Sequence, residues 1–191
     1  MDRSDTAVEK GLMFFGTVTA SISHDIKNRM AIINEQAGLL EDFVRMAEKG
    51  RELDPGRLMR LADSIRTQIA MSDVITKHMN QFAHSVDCLW QSTDLGELLS
   101  LTEGLAKRTA ANKEVRLDIR LPKHPVTVHT SPFYLMNLIW LCLDELMQFP
   151  GKDKSVALGC EKAVEGAVVW MRADWTEGDV GEVEKSKTIE D

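Results

Sequence analysis

Apolar side chains recur at helical spacing through the first half of the chain. Leu12, Phe15, Thr19, Ile22, Ile26, Ile33, Leu40 and Ala47 follow the a and d positions of a heptad, and Met30, Ala37 and Val44 widen the stripe onto e. This pattern predicts one long amphipathic helix over residues 6–49. Alone it has nothing to bury the stripe against, so it requires a partner helix. Gly50 stands where a helix C′ residue belongs, and Asp54-Pro55 supplies an N-cap with proline at the first helical position. A second stripe then runs through Leu58, Leu61, Ile65, Ile69, Ser72, Ile75, Met79, Phe82, Val86 and Leu89, to about Trp90. Two long helices on a short loop make an antiparallel hairpin. A two-helix core is thin, and pairing two hairpins across a two-fold axis gives a four-helix bundle, so a homodimer is expected.

The period changes after Ser92. Thr93-Asp94 caps a third helix carrying Leu95, Leu98, Leu99, Thr102 and Leu105, with Glu97 placed as in a capping box. Val115, Leu117, Ile119 and Leu121 then alternate with Arg116, Asp118 and Arg120, the period-two signal of a strand. Pro122 and Pro125 bound a turn, and Val126–Val128 is a second short strand candidate. Ser131-Pro132 opens a fourth helix to about Gln148, apolar nearly all round and therefore expected to be buried. Phe149-Pro150-Gly151 ends it. Residues 155–160 and 167–173 read as a hairpin turning near Val164-Glu165-Gly166. The fold class expected is α + α/β: a long helical hairpin over residues 1–91, a small α/β domain over 92–175, and a flexible acidic tail over 176–191.

Composition narrows the function. The chain has 191 residues, 30 of them acidic against 23 basic, for a net charge of −7. That balance argues against a nucleic-acid partner, which would want a basic face. The longest apolar run, Leu138 to Leu143, is far short of the roughly 20 residues of a membrane helix, and Met1-Asp-Arg-Ser-Asp lacks the apolar core of a signal peptide. No membrane association and a cytoplasmic location are therefore expected. Cys88, Cys142 and Cys160, odd in number and unevenly spaced, fit reduced thiols better than disulfides or a zinc site. The methionines fall mostly on helix stripes and read as core filler. Trp140 and Trp170 are expected to pack the α/β domain.

One helical segment carries candidate chemistry: Ser21-Ile-Ser-His24-Asp25-Ile-Lys27-Asn28-Arg29. On the heptad frame His24 falls at f, away from the stripe. Asn28 lies one turn on along the same face, and Asp25 adjoins. Spacing alone allows an ordinary exposed histidine on a charged face. It also allows a nucleophilic imidazole, with Asp25 orienting the ring and accepting its proton, and Lys27 or Arg29 offering positive charge to an anion.

Ser23-His24-Asp25-Ile26-Lys27-Asn28-Arg29-Met30 resembles the phosphoacceptor box of bacterial sensor histidine kinases, a His-Asp/Glu-x-x-Asn/Thr stretch in the first helix of a dimeric hairpin. The resemblance extends over most of the chain, because that hairpin is followed in the family by an α/β ATP-binding domain of the same element order. It implies that His24 accepts a phosphoryl group on Nε2 while Asp25 holds Nδ1. It also implies that Asn28 occupies the position that orients a water when a receiver is dephosphorylated.

The departures from the family are as informative. Alignment on Ser131-Pro132 and Phe149-Pro150 puts Leu141 and Glu145 where the family has its two N-box asparagines. Asp174-Trp175-Thr176-Glu177-Gly178 stands where a glycine box belongs. A leucine cannot hold Mg²⁺, and without the glycine loop the backbone N–H groups that cradle phosphate are missing. The second domain is thus similar to a degenerate histidine-kinase ATPase domain, with ATP binding lost and no cofactor of its own. The whole resembles dimeric bundle-type histidine phosphotransferases, which pass phosphate between His24-like residues and response-regulator receiver domains, the receiver bringing Mg²⁺. Two alternatives are a truncated or divergent sensor kinase, and a catalytically silent dimeric scaffold that binds a receiver or kinase.

Overall fold

The computed structural model describes residues 3–173. The expected acidic tail and the Asp174–Gly178 segment lie outside the described residues. Helix and sheet are mixed, in the order α1 (Arg3–Glu48), α2 (Pro55–His84), β1 (Gln91–Asp94), α3 (Leu95–Asn112), β2 (Arg116–Arg120), β3 (Thr127–Thr130), α4 (Pro132–Leu146), β4 (Ser155–Lys162) and β5 (Ala167–Ala173). The chain separates into two compact units, Met1–Asp87 and Cys88–Asp191. No helix among the described residues is long and apolar enough to cross a membrane.

In the first unit the α1–α2 turn follows from its sequence. Gly50 takes φ +79°, a left-handed conformation open to glycine at little steric cost. Its N–H reaches the carbonyl of Ala47 (2.8 Å), and Arg51 N–H reaches that of Met46 (3.1 Å), the two bonds of a Schellman motif. Asp54 then accepts from Gly56 N–H at 2.8 Å and Pro55 begins α2.

The two helices pack most tightly at the end remote from the turn, where Phe14, Val18, Ile22 and Phe82 are buried. Phe14 meets Phe82 edge-on and Phe15 stacks on it, each at a centroid distance of 5.4 Å. Along the rest of the shaft the α1 seam is half-buried and passes through Asp25, Arg29, Ile32, Gln36, Leu40, Phe43 and Ala47. This corrects the expected stripe, since Leu12 and Thr19 are exposed and Phe14 and Val18 are buried in their place. At about 100° per residue, the seam against α2 and the row Leu12, Phe15, Thr19, Ile26, Met30, Ile33, Ala37 and Val44 are neighbouring strips of one helix. The heptad pattern had merged them. Leu12, Met30 and Val44 of the second row are more than half exposed.

In the second unit a three-stranded sheet runs β2-β4-β5, with β2 parallel and β5 antiparallel to β4. β1 pairs antiparallel with β3 in a separate ribbon, Gln91 opposite Thr130. The sequence pattern did not predict β1, whose four residues are too few to show a period, and β3 begins one residue later than the candidate strand at 126–128. The register sets Leu117 beside Val156 and Ile119 beside Leu158 on one sheet face. Val156, Leu158 and Cys160 are buried there, together with Leu95, Leu98, Leu99, Thr102, Leu105 and Ala106 of α3 and Met136, Ile139, Trp140 and Leu143 of α4. Each fully buried Leu or Ile contributes about 1.5–3 kcal/mol relative to exposure. Burial pushes the Cys160 thiol pKa up, and the carboxylate of Asp94 adds to the shift.

Two expectations for this unit are corrected. α4 is not buried all round: Tyr134, Leu138, Leu141, Cys142 and Glu145 form an exposed face, with Leu138 at 58%. Trp170 lies on the uncovered sheet face rather than in the core. Its ring crosses Gly159, where a Cβ would stand 2.5 Å from Trp170 Cζ2, and Arg120 sits over the same ring at 6.0 Å.

α3 ends in a second Schellman motif. Val115 N–H reaches Ala110 O at 2.8 Å, with Glu114 in the left-handed position at φ +56°. Lys154 holds the Glu114 carboxylate at 2.7 Å and lowers its pKa. Lys113 ties this corner to the end of α4 through Asp144 Oδ1 at 2.6 Å.

Candidate functional site

α1 is uninterrupted around His24, so the positions of the candidate residues follow from helical geometry. Asn28 lies one turn beyond His24 on the same exposed face, and its Nδ2 is 3.0 Å from His24 Nδ1. Asp25 and Arg29, about 100° and 140° round the axis, turn towards α2 and are half-buried. Arg29 Nη1 donates to Gln68 Oε1 at 2.9 Å, a bond that fixes the two helices against each other beside the histidine.

On the other flank Ser23, His24, Ile26, Lys27 and Met30 line a shallow cleft of about 430 Å³. His24 thus sits on a crest between two flanks. One is closed by α2, and the other is an open depression with an apolar floor of Ile26 and Met30 and the cationic Lys27 at its edge. All five lining residues belong to α1.

The five residues singled out in the sequence therefore divide. His24, Lys27 and Asn28 are brought together at the exposed crest, whereas Asp25 and Arg29 lie on the seam side. The ring nitrogen Nδ1, which the family resemblance gives to Asp25, is approached by Asn28. Sequence reasoning missed Gln68 as the partner of Arg29, because a polar position inside the α2 stripe carries no sign of which α1 residue it meets. It also missed Ser23, Ile26 and Met30 as cleft lining, although their i±3 and i±4 spacing would have found them.

In the second unit a larger concavity of about 700 Å³ lies on the open sheet face, over Trp170. Arg116, Arg120 and Arg172 share it with Asp118, Asp153 and Glu161, so its charges balance. Among the described residues no group of three or more His, Cys, Asp or Glu side chains could hold a metal ion.

No protein-family model matches the chain, and no curated protein does. Among solved structures it is similar to the Acinetobacter baumannii histidine kinase AdeS, at 10% identity and a TM-score of 0.36, over 76% of this chain and 70% of that one. A likeness at that level carries no argument about activity, and the reading of this chain rests on its own residues.

Proposed function

We propose that the chain is a histidine phosphotransferase of a two-component phosphorelay, shuttling a phosphoryl group between His24 and the aspartates of receiver domains. The observation that carries this reading is the crest itself: an exposed imidazole on an uninterrupted helix, with Asn28 against Nδ1 and Lys27 beside it over an open apolar cleft. A convex nucleophile suits a partner that brings its own acidic pocket and Mg²⁺, since the reacting phosphate is then enclosed only in the complex. Nε2 of His24 acts as nucleophile, and Lys27 offsets charge on the incoming phosphoryl group. Arg29, engaged with Gln68, serves first to hold the helix pair and reaches phosphate only by leaving that bond. Asp25, next to His24 in sequence and on the seam side, completes the catalytic set. Asn28 also stands where a water could be oriented for receiver dephosphorylation, a second output of the same site.

The exposed row from Leu12 to Val44 is the surface on which a second copy of the chain would complete a four-helix bundle and wall the cleft beside His24. The α/β unit of this proposal makes no use of ATP. Leu141 and Glu145, exposed on α4 at the positions that align with the nucleotide-binding asparagines, offer a hydrocarbon and a negative charge to a triphosphate.

The decisive experiment incubates the full chain with a phosphorylated receiver carrying labelled phosphate. Label should appear on the wild-type chain and be absent from His24→Ala. Equal loss of receiver label with both proteins, and no labelled chain, would sink the proposal in favour of a silent scaffold. Labelling directly from ATP would overturn the claim that the nucleotide site is lost.

A further inference from the structure

We propose that Asn28 is a positioning residue that selects which nitrogen of His24 carries the ring proton, and so switches the histidine between a resting and a nucleophilic form. This rests on the reading of His24 as the phosphoacceptor. The observation behind it is the 3.0 Å approach of the Asn28 amide to Nδ1, between two exposed side chains one helical turn apart.

A neutral imidazole has one N–H donor and one acceptor nitrogen, whereas the two ends of a carboxamide are a pure donor and a pure acceptor. With Nδ2 facing the ring, Nδ1 must accept. The hydrogen then resides on Nε2, whose electron pair is tied up in the π-system. The 3.0 Å approach of Nδ2 to Nδ1 fits that form, which is unreactive at Nε2. A half-turn of the Asn28 amide about χ2 exchanges Oδ1 for Nδ2 at the same distance. Nδ1–H now donates to Oδ1, and Nε2 is left with a free in-plane electron pair. Solvent can supply either end of an exposed amide with its lost partners, so the turn needs no repacking of the helix.

The transfer step then balances without any further acid or base. The Nε2 electron pair forms the N–P bond while the P–O bond to the receiver carboxylate breaks, the bonding pair leaving on that carboxylate oxygen. The Nδ1 hydrogen stays in place and the ring becomes a phosphoimidazolium, stabilised by its hydrogen bond to Oδ1. An amide oxygen accepts a hydrogen bond but is far too weak a base to take the proton. The ring therefore keeps it, and the N–P bond remains ready to break towards a second carboxylate. An aspartate at the same place could remove that proton and leave a neutral, slower-releasing phosphoimidazole. The proposal thus gives Asn28 a part in both directions of transfer, separate from any orientation of water.

The test uses the full-length chain with ¹⁵N-labelled histidine, at a pH where the His24 ring is neutral in every variant as judged from its own nitrogen shifts. The tautomer ratio at His24 is read from those shifts, and phosphoryl uptake from a labelled phospho-receiver is timed in parallel. Asn28→Asp, an acceptor only, should drive the ring to the Nδ1–H form. It should also restore uptake well above that of Asn28→Ala, while slowing onward release. Asn28→Ala should lose the bias in the tautomer ratio and take up phosphate about tenfold more slowly or worse. The same tautomer ratio in wild type, Asn28→Ala and Asn28→Asp would overturn the proposal, as would wild-type uptake by Asn28→Ala. If the wild-type chain takes no phosphate from any receiver, the phosphotransfer reading falls. The tautomer ratios alone then decide whether Asn28 governs the ring.

Discussion

The two units of this chain differ in how much of their surface they bury. In the α/β unit, buried side chains from α3, α4 and β4 meet in one core, so the unit holds its own hydrophobic centre. In the hairpin, full burial is confined to the end around Phe14, Val18, Ile22 and Phe82, and the shaft that carries His24 is only half-covered. A reactive side chain on a crest must be reachable, and a helix pair that exposes it cannot also surround it with core. On the proposed function, the half-covered shaft keeps the phosphoacceptor accessible and leaves a second row for another copy. The α/β unit shows the opposite choice, with its polar residues pushed to an open sheet face and its thiol Cys160 sealed inside.

Four further measurements would break or sharpen that contrast. The largest effect is expected at the crest. His24→Ala should abolish phosphoryl uptake yet move stability by no more than about 0.5 kcal/mol, as for an exposed side chain. A large fall in melting temperature would show that the hairpin depends on this residue structurally. Next comes the opposite experiment in the sheet. Leu158, fully buried, should cost about 2–5 kcal/mol when replaced by alanine, read by denaturant unfolding of residues 88–173, with uptake at His24 retained in the folded protein. Loss of uptake under conditions where the protein is folded would mean that the units are not separable in function.

A smaller effect is expected on dilution. If the second α1 row is covered by another copy, a hundredfold dilution should lower hairpin stability by up to about 2.7 kcal/mol and leave the α/β unit unchanged. Concentration-independent melting of both would remove the homodimer. The smallest effect concerns Glu114, whose carboxyl lies below the usual range because Lys154 holds it. Its contribution is present above the ordinary carboxylate pKa and is lost as pH falls through the lowered folded value. The acid limb of the α/β unit's stability curve should therefore be slightly flatter in Glu114→Gln. An unchanged limb would mean that the exposed pair contributes nothing measurable.

Legibility in the sequence followed the same division. Helix boundaries with chemical punctuation could be read directly: Gly50 with Asp54-Pro55, and Asp94, whose side chain accepts from Glu97 N–H at 3.0 Å. Strand alternation at Arg116–Arg120 could be read because one face is wet and the other dry. What could not be read was any fact depending on two elements at once. Phe14 and Leu12 are equally apolar, and only the crossing of α2 decides which is buried. Trp170 looks like a core residue until Gly159, eleven positions earlier, is seen to clear a path for its ring across the sheet. At the candidate site, the shared face of His24 and Asn28 was legible from an i, i+4 spacing. Which atom of Asn28 meets which ring nitrogen was not.

The pairing of β2 with β4 carries a consequence in time. Arg116 lies beside Ser155, and the two parallel strands are joined through β3 and α4, the 34 residues from 121 to 154. The hairpin, by contrast, can close from its turn with neighbours in sequence. During synthesis α1 and α2 can therefore zip together as soon as Phe82 has emerged. β2 must instead wait with its edge unpaired until β4 arrives. The stretch of chain most exposed to mispairing while it is being made is then Arg116-Leu-Asp-Ile-Arg120, and the alternating charges of that strand are its protection against joining the wrong edge.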